Sequence, residues 1–167
     1  RAVRLCNNDK EIANLIVMRA TNPNSNLFEE MKSIYDIDPT SEHLETFMKK
    51  EFFYIEHQLL TKDFEYNIFT SRDKVSIEKK QILDIIDEWL GFTEKCINNQ
   101  LITNNEFWML ANGYLNILSG NINGAQNMFN DIKKKNSNSD VVDQINVFEL
   151  LTDIITIDQI DNKIEDD

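Results

Sequence analysis

An all-α fold of antiparallel helical hairpins stacked into a solenoid is what this sequence predicts, on three observations. Apolar residues recur at helical spacing through most of the chain. The 167 residues include only 4 glycines and 2 prolines, too few to turn an all-β chain, which needs turn residues roughly every 8 to 12 positions. Two short amphipathic stretches on either side of Gly120 place small and aromatic residues where two helices must nest. With 41% apolar residues and 10% aromatics the chain can build a core, and its length suits one compact domain or about four to five hairpins.

The first helix is predicted from an N-cap at Asn8 through Thr21, with Ile12, Leu15, Ile16 and Arg19 along one face and Asn22-Pro23 as its stop. A second starts at Ser25 or Asn26 and runs to Tyr35, with Phe28, Met31 and Tyr35 at i, i+3 and i+7. Asp38-Pro39-Thr40-Ser41 ends it and caps the next, because the residue before proline is pushed out of the helical region and Thr or Ser accepts from free N–H groups. From Ser41 to Leu60 a long helix is carried by Leu44, Phe47, Met48, Phe52, Ile55 and Leu59, with Lys49, Lys50 and Glu56 elsewhere.

Thr61 to Ser76 mixes Phe64, Tyr66, Ile68 and Phe69 with charges, without a sustained period, and is expected to be an irregular connector folded back on the helices. It divides the chain into N-terminal hairpins over 1–60 and a repeat segment over 77–167. Ser76 caps a helix reaching about Asn98, with Ile77, Ile82, Ile85, Ile86, Trp89, Leu90 and Ile97 as a wide stripe. Gly91 inside it costs about 1 kcal/mol relative to alanine and is expected to admit a neighbouring helix. Asn104 or Asn105 opens a helical hairpin, and the polar run 136–140 separates it from a last helix bearing Val141, Ile145, Phe148, Leu151 and Ile155. The tail from Asp153 to Asp167 has six acids and one lysine, but its five isoleucines mark a helix awaiting a neighbour.

Phe107 to Phe129 reads F-x2-L-A-x2-Y-x5-G-x3-G-A-x3-F, which resembles a tetratricopeptide (TPR) hairpin. Phe107, Leu110, Ala111 and Tyr114 fall at i, i+3, i+4 and i+7, Ala125 permits close helix approach, and Phe129 fills the space one turn later. Tyr114 to Gly120 is longer than the usual TPR spacing, so either the first helix is longer or the turn is wider. A plain antiparallel hairpin in a bundle uses the same apolar spacing; the repeat is the reading favoured here.

Around Ala20 to Glu56 the run R-A-x-N-P leads into L-F-E-E-M-x-x-I-Y-x-I-D-P-T-S-x-H-L-E-x-F-M-x-K-E-x-x-x-I-E. This resembles segments of the large TPR-containing proteins of the Bacteroidota, in which an Asp-Pro-x-Ser turn leads into a helix with a basic-Glu pair and a later Glu. Asp38-Pro39-Thr40-Ser41, Lys50-Glu51 and Glu56 occupy those places, with Lys50 where arginine is usual. The resemblance implies a repeat scaffold without assigned activity, exported to the periplasm or cell surface as part of a larger assembly.

The net charge of -12 opposes a nucleic-acid backbone. Lys133 to Lys135 sit where they would stabilise a helix C-terminus. Phosphate-binding glycine loops, H-E-x-x-H and G-x-S-x-G are missing from the sequence, and no cofactor or metal is expected. His43 and His57 would lie about 21 Å apart on one helix, too far to share an ion. Asn136, Asn138 and Asp140 start like a calcium loop, but Val141 and Val147 stand at the glycine and glutamate positions, so capping is the expected role. Cys6 and Cys96 show no metal spacing, and whether they pair depends on geometry. No apolar run is long enough to span a bilayer. The first residue, Arg1, is not methionine, which suggests a processed chain or a piece of a longer one and makes the lack of a leader uninformative.

These features predict a non-enzymatic scaffold that binds a protein or peptide. Trp89 and Trp108 are the residues to watch at an interface, although core is the stronger reading for both: Trp89 sits amid isoleucines, and Trp108, beside the Phe107, Leu110 and Ala111 face, could point either way. Asn112, Asn116 and Asn123 are the expected backbone-binding side chains in a groove, since an amide both donates and accepts. A purely structural segment, or an accessory domain of an enzyme whose active site lies elsewhere, are the alternatives.

Overall fold

The computed structural model describes residues 6–22, 24–60, 77–135 and 138–164, with side chains over 6–22, 24–56, 80–135 and 138–154. Among these residues there are seven helices and no strand: α1 (Asp9–Ala20), α2 (Leu27–Ile37), α3 (His43–Leu60), α4 (Ile77–Ile97), α5 (Asn105–Leu118), α6 (Ile122–Lys134) and α7 (Ser139–Ile164). The connector expected over 61–76, and the Ser76 cap with it, lie outside the described residues.

Asparagine starts most of these helices. Asn8, Asn26, Asn104 and Asn121 accept from the backbone N–H three residues on, opening α1, α2, α5 and α6. Asn138 does the same for Val141 at the start of α7. Each such cap contributes about 1 kcal/mol by satisfying a donor that the helix leaves orphaned. Asp38 organises the turn before α3, its carboxylate accepting from Thr40 N at 3.1 Å and Thr40 Oγ1 at 2.7 Å.

Helices pack mainly on their neighbours in sequence: α1 on α2, α4 on α5, α5 on α6, with α7 laid across both α5 and α6. One core runs from α1 to α5, so Leu44, Phe47, Met48 and Ile55 of α3 share it with Leu83, Ile86 and Trp89 of α4 across the 61–76 interval. Edge-to-face rings thread it from Phe28 to Trp89 (4.6 Å), Trp89 to Phe92 (5.8 Å) and Phe92 to Trp108 (5.8 Å), the geometry favoured by the ring quadrupole. A second core joins α5, α6 and α7 through Ile117, Ala125, Phe129, Ile132 and Ile145. Tyr114 links the two. Its ring stacks on Phe148 at 4.8 Å and meets Phe52 edge-on at 5.3 Å, while its hydroxyl donates to Glu56 on α3.

Two local expectations change, one widens and one open alternative closes. The buried face of α1 is Ala13, Ile16 and Ala20; Arg19 is exposed and turns to Glu30 of α2. The α4 core positions include Leu83, Phe92 and Cys96 beside the isoleucines. Gly91 admits no helix, because a Cβ there would meet nothing within 4 Å. The extra residues before Gly120 lengthen α5, and the turn stays tight. Gly120 adopts φ 82°, Asn121 N donates to Asn116 O at 2.8 Å and Gly120 N to Ile117 O at 2.9 Å. That pair of bonds is a Schellman motif, which requires the left-handed residue that glycine supplies most readily.

Candidate functional site

The side chains expected to meet a partner lie mostly inside the protein. Trp108 is 1% exposed, Asn112 2% and Asn116 7%; of the four, Asn123 alone is exposed. Their burial follows from the hairpin: Trp108 faces α4 through Phe92, and the amides stand on the side of α5 that receives α4 and α6. They form a continuous polar chain instead of a groove. Thr93 Oγ1 donates to Leu90 O and accepts from Asn112 Nδ2 at 2.9 Å. Asn116 Nδ2 donates to Asn112 O and Oδ1, each at 2.9 Å, and Asn116 Oδ1 accepts from Asn121 Nδ2 at 2.7 Å. Asn121 then caps α6 through Gly124 N. Each carboxamide oxygen in the chain has a donor, so the network ties three helices together without an unsatisfied acceptor.

A different region of the surface is concave. A cleft of about 600 Å³ opens between the α1–α2 turn, α3 and α4, with Ala20, Leu27, Phe28, Ile85 and Trp89 among its apolar walls. That volume lies within the range of ligand pockets, about 300–1,000 Å³. Phe53 and Tyr54 stand at its rim, Phe53 at 73% exposure. The charged residues lining it are Lys50, Glu51 and Glu88.

At the base of the cleft Trp89 is fully buried, and its Nε1 donor has no hydrogen-bond partner. An unsatisfied buried donor costs about 1–3 kcal/mol. Glu51 is the acid beside it. Burial raises the Glu51 pKa, and the Trp89 N–H and Lys50 pull it back down. The indole is therefore near enough to influence the carboxyl, yet the two groups do not reach hydrogen-bond geometry. Hydrogen-bond strength falls steeply with misalignment.

The wall of the cleft is braced. Arg19 grips Glu30 with two nitrogens, Nε at 2.6 Å from Oε1 and Nη2 against Oε2, and Ser25 Oγ donates to the same carboxylate at 3.3 Å. This fork is the planar bidentate pairing that arginine suits, and it sets the α1–α2 turn that supplies Ala20, Asn22, Ser25 and Asn26 to the lining. Glu51 stands beside Trp89, and Glu56 accepts from Tyr114.

A second surface feature is α7. Its inner side holds Ile145 and Thr152 buried and Phe148 and Leu151 half-buried, whereas Val147, Leu150 and Ile154, at i, i+3 and i+7, are exposed on another side. A helix apolar on two sides is built to be covered on both.

Among the described residues no group of three or more His, Cys, Asp or Glu side chains is gathered for a metal ion, and no helix is long and apolar enough to cross a membrane. Cys6 and Cys96 are both thiols. No protein family, curated protein or solved structure matches the chain.

Proposed function

We propose that this chain is a non-enzymatic, TPR-like helical scaffold that binds other proteins, as a segment or subunit of a larger envelope-associated assembly. The observation that carries the reading is the exposed row Val147, Leu150 and Ile154 on a helix whose other side is already packed. In a stack of helices each layer buries its face on the next, so the outer face of α7 takes a further helix. Exposed Asp143 and Asp153 accompany the row, in a chain of net charge -12. A second copy would set acid against acid, so the fitting occupant is a partner's amphipathic helix with lysine or arginine beside its apolar stripe.

The test is affinity purification of the endogenous full-length protein with mass spectrometry, run in parallel with a Val147→Asp, Leu150→Asp variant. A stoichiometric partner lost from the variant is the expected result. A partner retained by it would move the interface off α7, and a protein that purifies alone would favour a purely structural segment packed on the rest of its own chain.

A further inference from the structure

We propose that Asn123-Gly124, in the first turn of α6, is a site of spontaneous amide-to-acid conversion, held back by the Asn121 cap and released when that turn opens. The sequence contains a second Asn-Gly pair, Asn112-Gly113, which the fold keeps inert. These residues are separate from the outer face of α7, so this proposal and the scaffold reading stand or fall independently.

The reaction needs only water. The backbone nitrogen of Gly124 attacks Cγ of Asn123, and the new N–Cγ bond closes a succinimide ring. The Cγ–Nδ2 bond breaks, and Nδ2 leaves as ammonia with the proton that the Gly124 nitrogen gives up, passed through water. Water then opens the ring at either carbonyl, leaving an aspartate at position 123 or its isomer linked through the side chain. Asparagine before glycine is the pair most open to this chemistry, because glycine has no Cβ to block the approach and its backbone turns freely.

Local structure sets the two pairs apart. Asn123 is exposed to water, and Gly124 stands in the first helical turn, where backbone N–H groups have no carbonyl of their own helix to bond. Gly124 N donates instead to Asn121 Oδ1 at 3.1 Å, so one side-chain bond restrains the nucleophile. A Cβ at Gly124 would press on Asn121 Nδ2 and lie 2.6 Å from Asn116 Oδ1. Packing of the buried amide chain therefore calls for the very residue that makes Asn123 labile. Asn112-Gly113 lies in the middle of α5, where each N–H bonds the carbonyl four residues back, and the Phe129 ring covers Gly113. Asn112 is 2% exposed; its Nδ2 donates to Thr93 Oγ1 and its Oδ1 accepts from Asn116 Nδ2, each at 2.9 Å. Ring closure there requires α5 to unfold, whereas at Asn123 it requires only a helix end to fray, an opening of much lower free energy. The two products differ in effect. Aspartate places its charge where the helix dipole favours it, but the isomer adds a main-chain atom between the Asn121 cap and Gly124 and takes the cap out of register.

The test incubates the full chain at mildly alkaline pH, in buffer and in urea, and follows conversion at both pairs by peptide mass spectrometry. Chymotryptic cleavage at Tyr114 separates the pairs. In buffer, conversion at Asn123 is expected to be at least about tenfold faster than at Asn112 and at least about tenfold slower than at Asn123 in urea, where the two pairs react alike. Asn121→Ala is expected to speed Asn123 about fivefold, while Asn121→Ser, which keeps a capping oxygen, stays within about twofold of the native rate. Both variants lose the amide donor to Asn116, so their difference reports the cap alone. Equal rates at Asn112 and Asn123 in buffer would overturn the proposal. So would an Asn123 rate in buffer that matches the rate in urea, or a serine variant as fast as the alanine one. The comparison of the two pairs in the native chain needs no variant to fold.

Discussion

Phe129 of α6 packs its ring edge onto the backbone of Gly113 in α5, so closely that a Cβ at Gly113 would lie 2.4 Å from Phe129 Cε1. The α5–α6 hairpin can close to this distance because position 113 has no side chain, and Phe129 in turn is fully buried. The pair sets how near the two helices approach, and with it the seat of α7.

Gly113→Ala is therefore expected to destabilise the protein by about 1–3 kcal/mol, since overpacking a filled site outweighs the gain in helix propensity. Gly91→Ala, on the open side of α4 where a Cβ meets nothing within 4 Å, is expected to stabilise it by up to about 1 kcal/mol. Urea unfolding of both variants checks the pair, and equal signs would contradict the packing described for Gly113.

Asn116→Ala is expected to cost about 1–3 kcal/mol, because it removes the acceptor of Asn121 Nδ2 and the donor to Asn112 and leaves buried polar atoms unmatched. Asn123→Ala, at an exposed position, should change stability by less than about 0.5 kcal/mol. Chemical denaturation of the two variants would show whether the amides of α5 act on the fold.

The Cys96 thiol is buried on α4, and burial pushes its pKa up to about 12, with Lys95 opposing only in part. Thiolate is the reactive form, so at pH 8 Cys96 should resist alkylation in a Cys6→Ser background until the chain is unfolded. Mass spectrometry after timed labelling would reveal this. Rapid modification of the native protein would mean that the α4 face opens readily.

Glu51 has a clear sign in its pH dependence. Its folded pKa is raised, chiefly by burial, above the unfolded value of about 4.3. Between those two values the folded state holds the extra proton, so stability falls as pH rises through that window. Glu51→Gln removes the loss. The stability of the Gln variant relative to the native protein is expected to grow from pH 4 toward neutrality, and a difference that stays flat across that range would refute it.

Much of the helical layout was legible in the sequence, because caps and apolar period are local. Asn8, the end of α1 at Ala20, the Asp38–Ser41 turn and the hairpin start at Asn104 each depend on residues within one turn of the boundary they set; Pro23, read as part of the stop after α1, lies outside the described residues. Asparagine in particular reads as a cap because its short side chain reaches the backbone three residues on. Which side of a helix is buried was less legible. Arg19, Phe92 and Gly91 lie on helices apolar or small enough on several sides that period alone does not choose the inner one. The candidate binding residues suffered most: an amide that can grip a peptide can equally satisfy another amide, and on α5 it does.

By itself, the sequence determined the helical character of the described residues, the main helix boundaries and the aromatic and small residues of the α5–α6 hairpin, since these follow from hydrogen bonding and side-chain spacing within a few residues. Only the tertiary structure decided that Asn112 and Asn116 are internal, that Trp89 ends beside Glu51 with its N–H unpaired, and that α7 keeps an uncovered apolar row. Glu51 and Trp89 are 38 positions apart in the chain. Their meeting depends on how α3 and α4 pack across a shared core, a relation that no local pattern encodes.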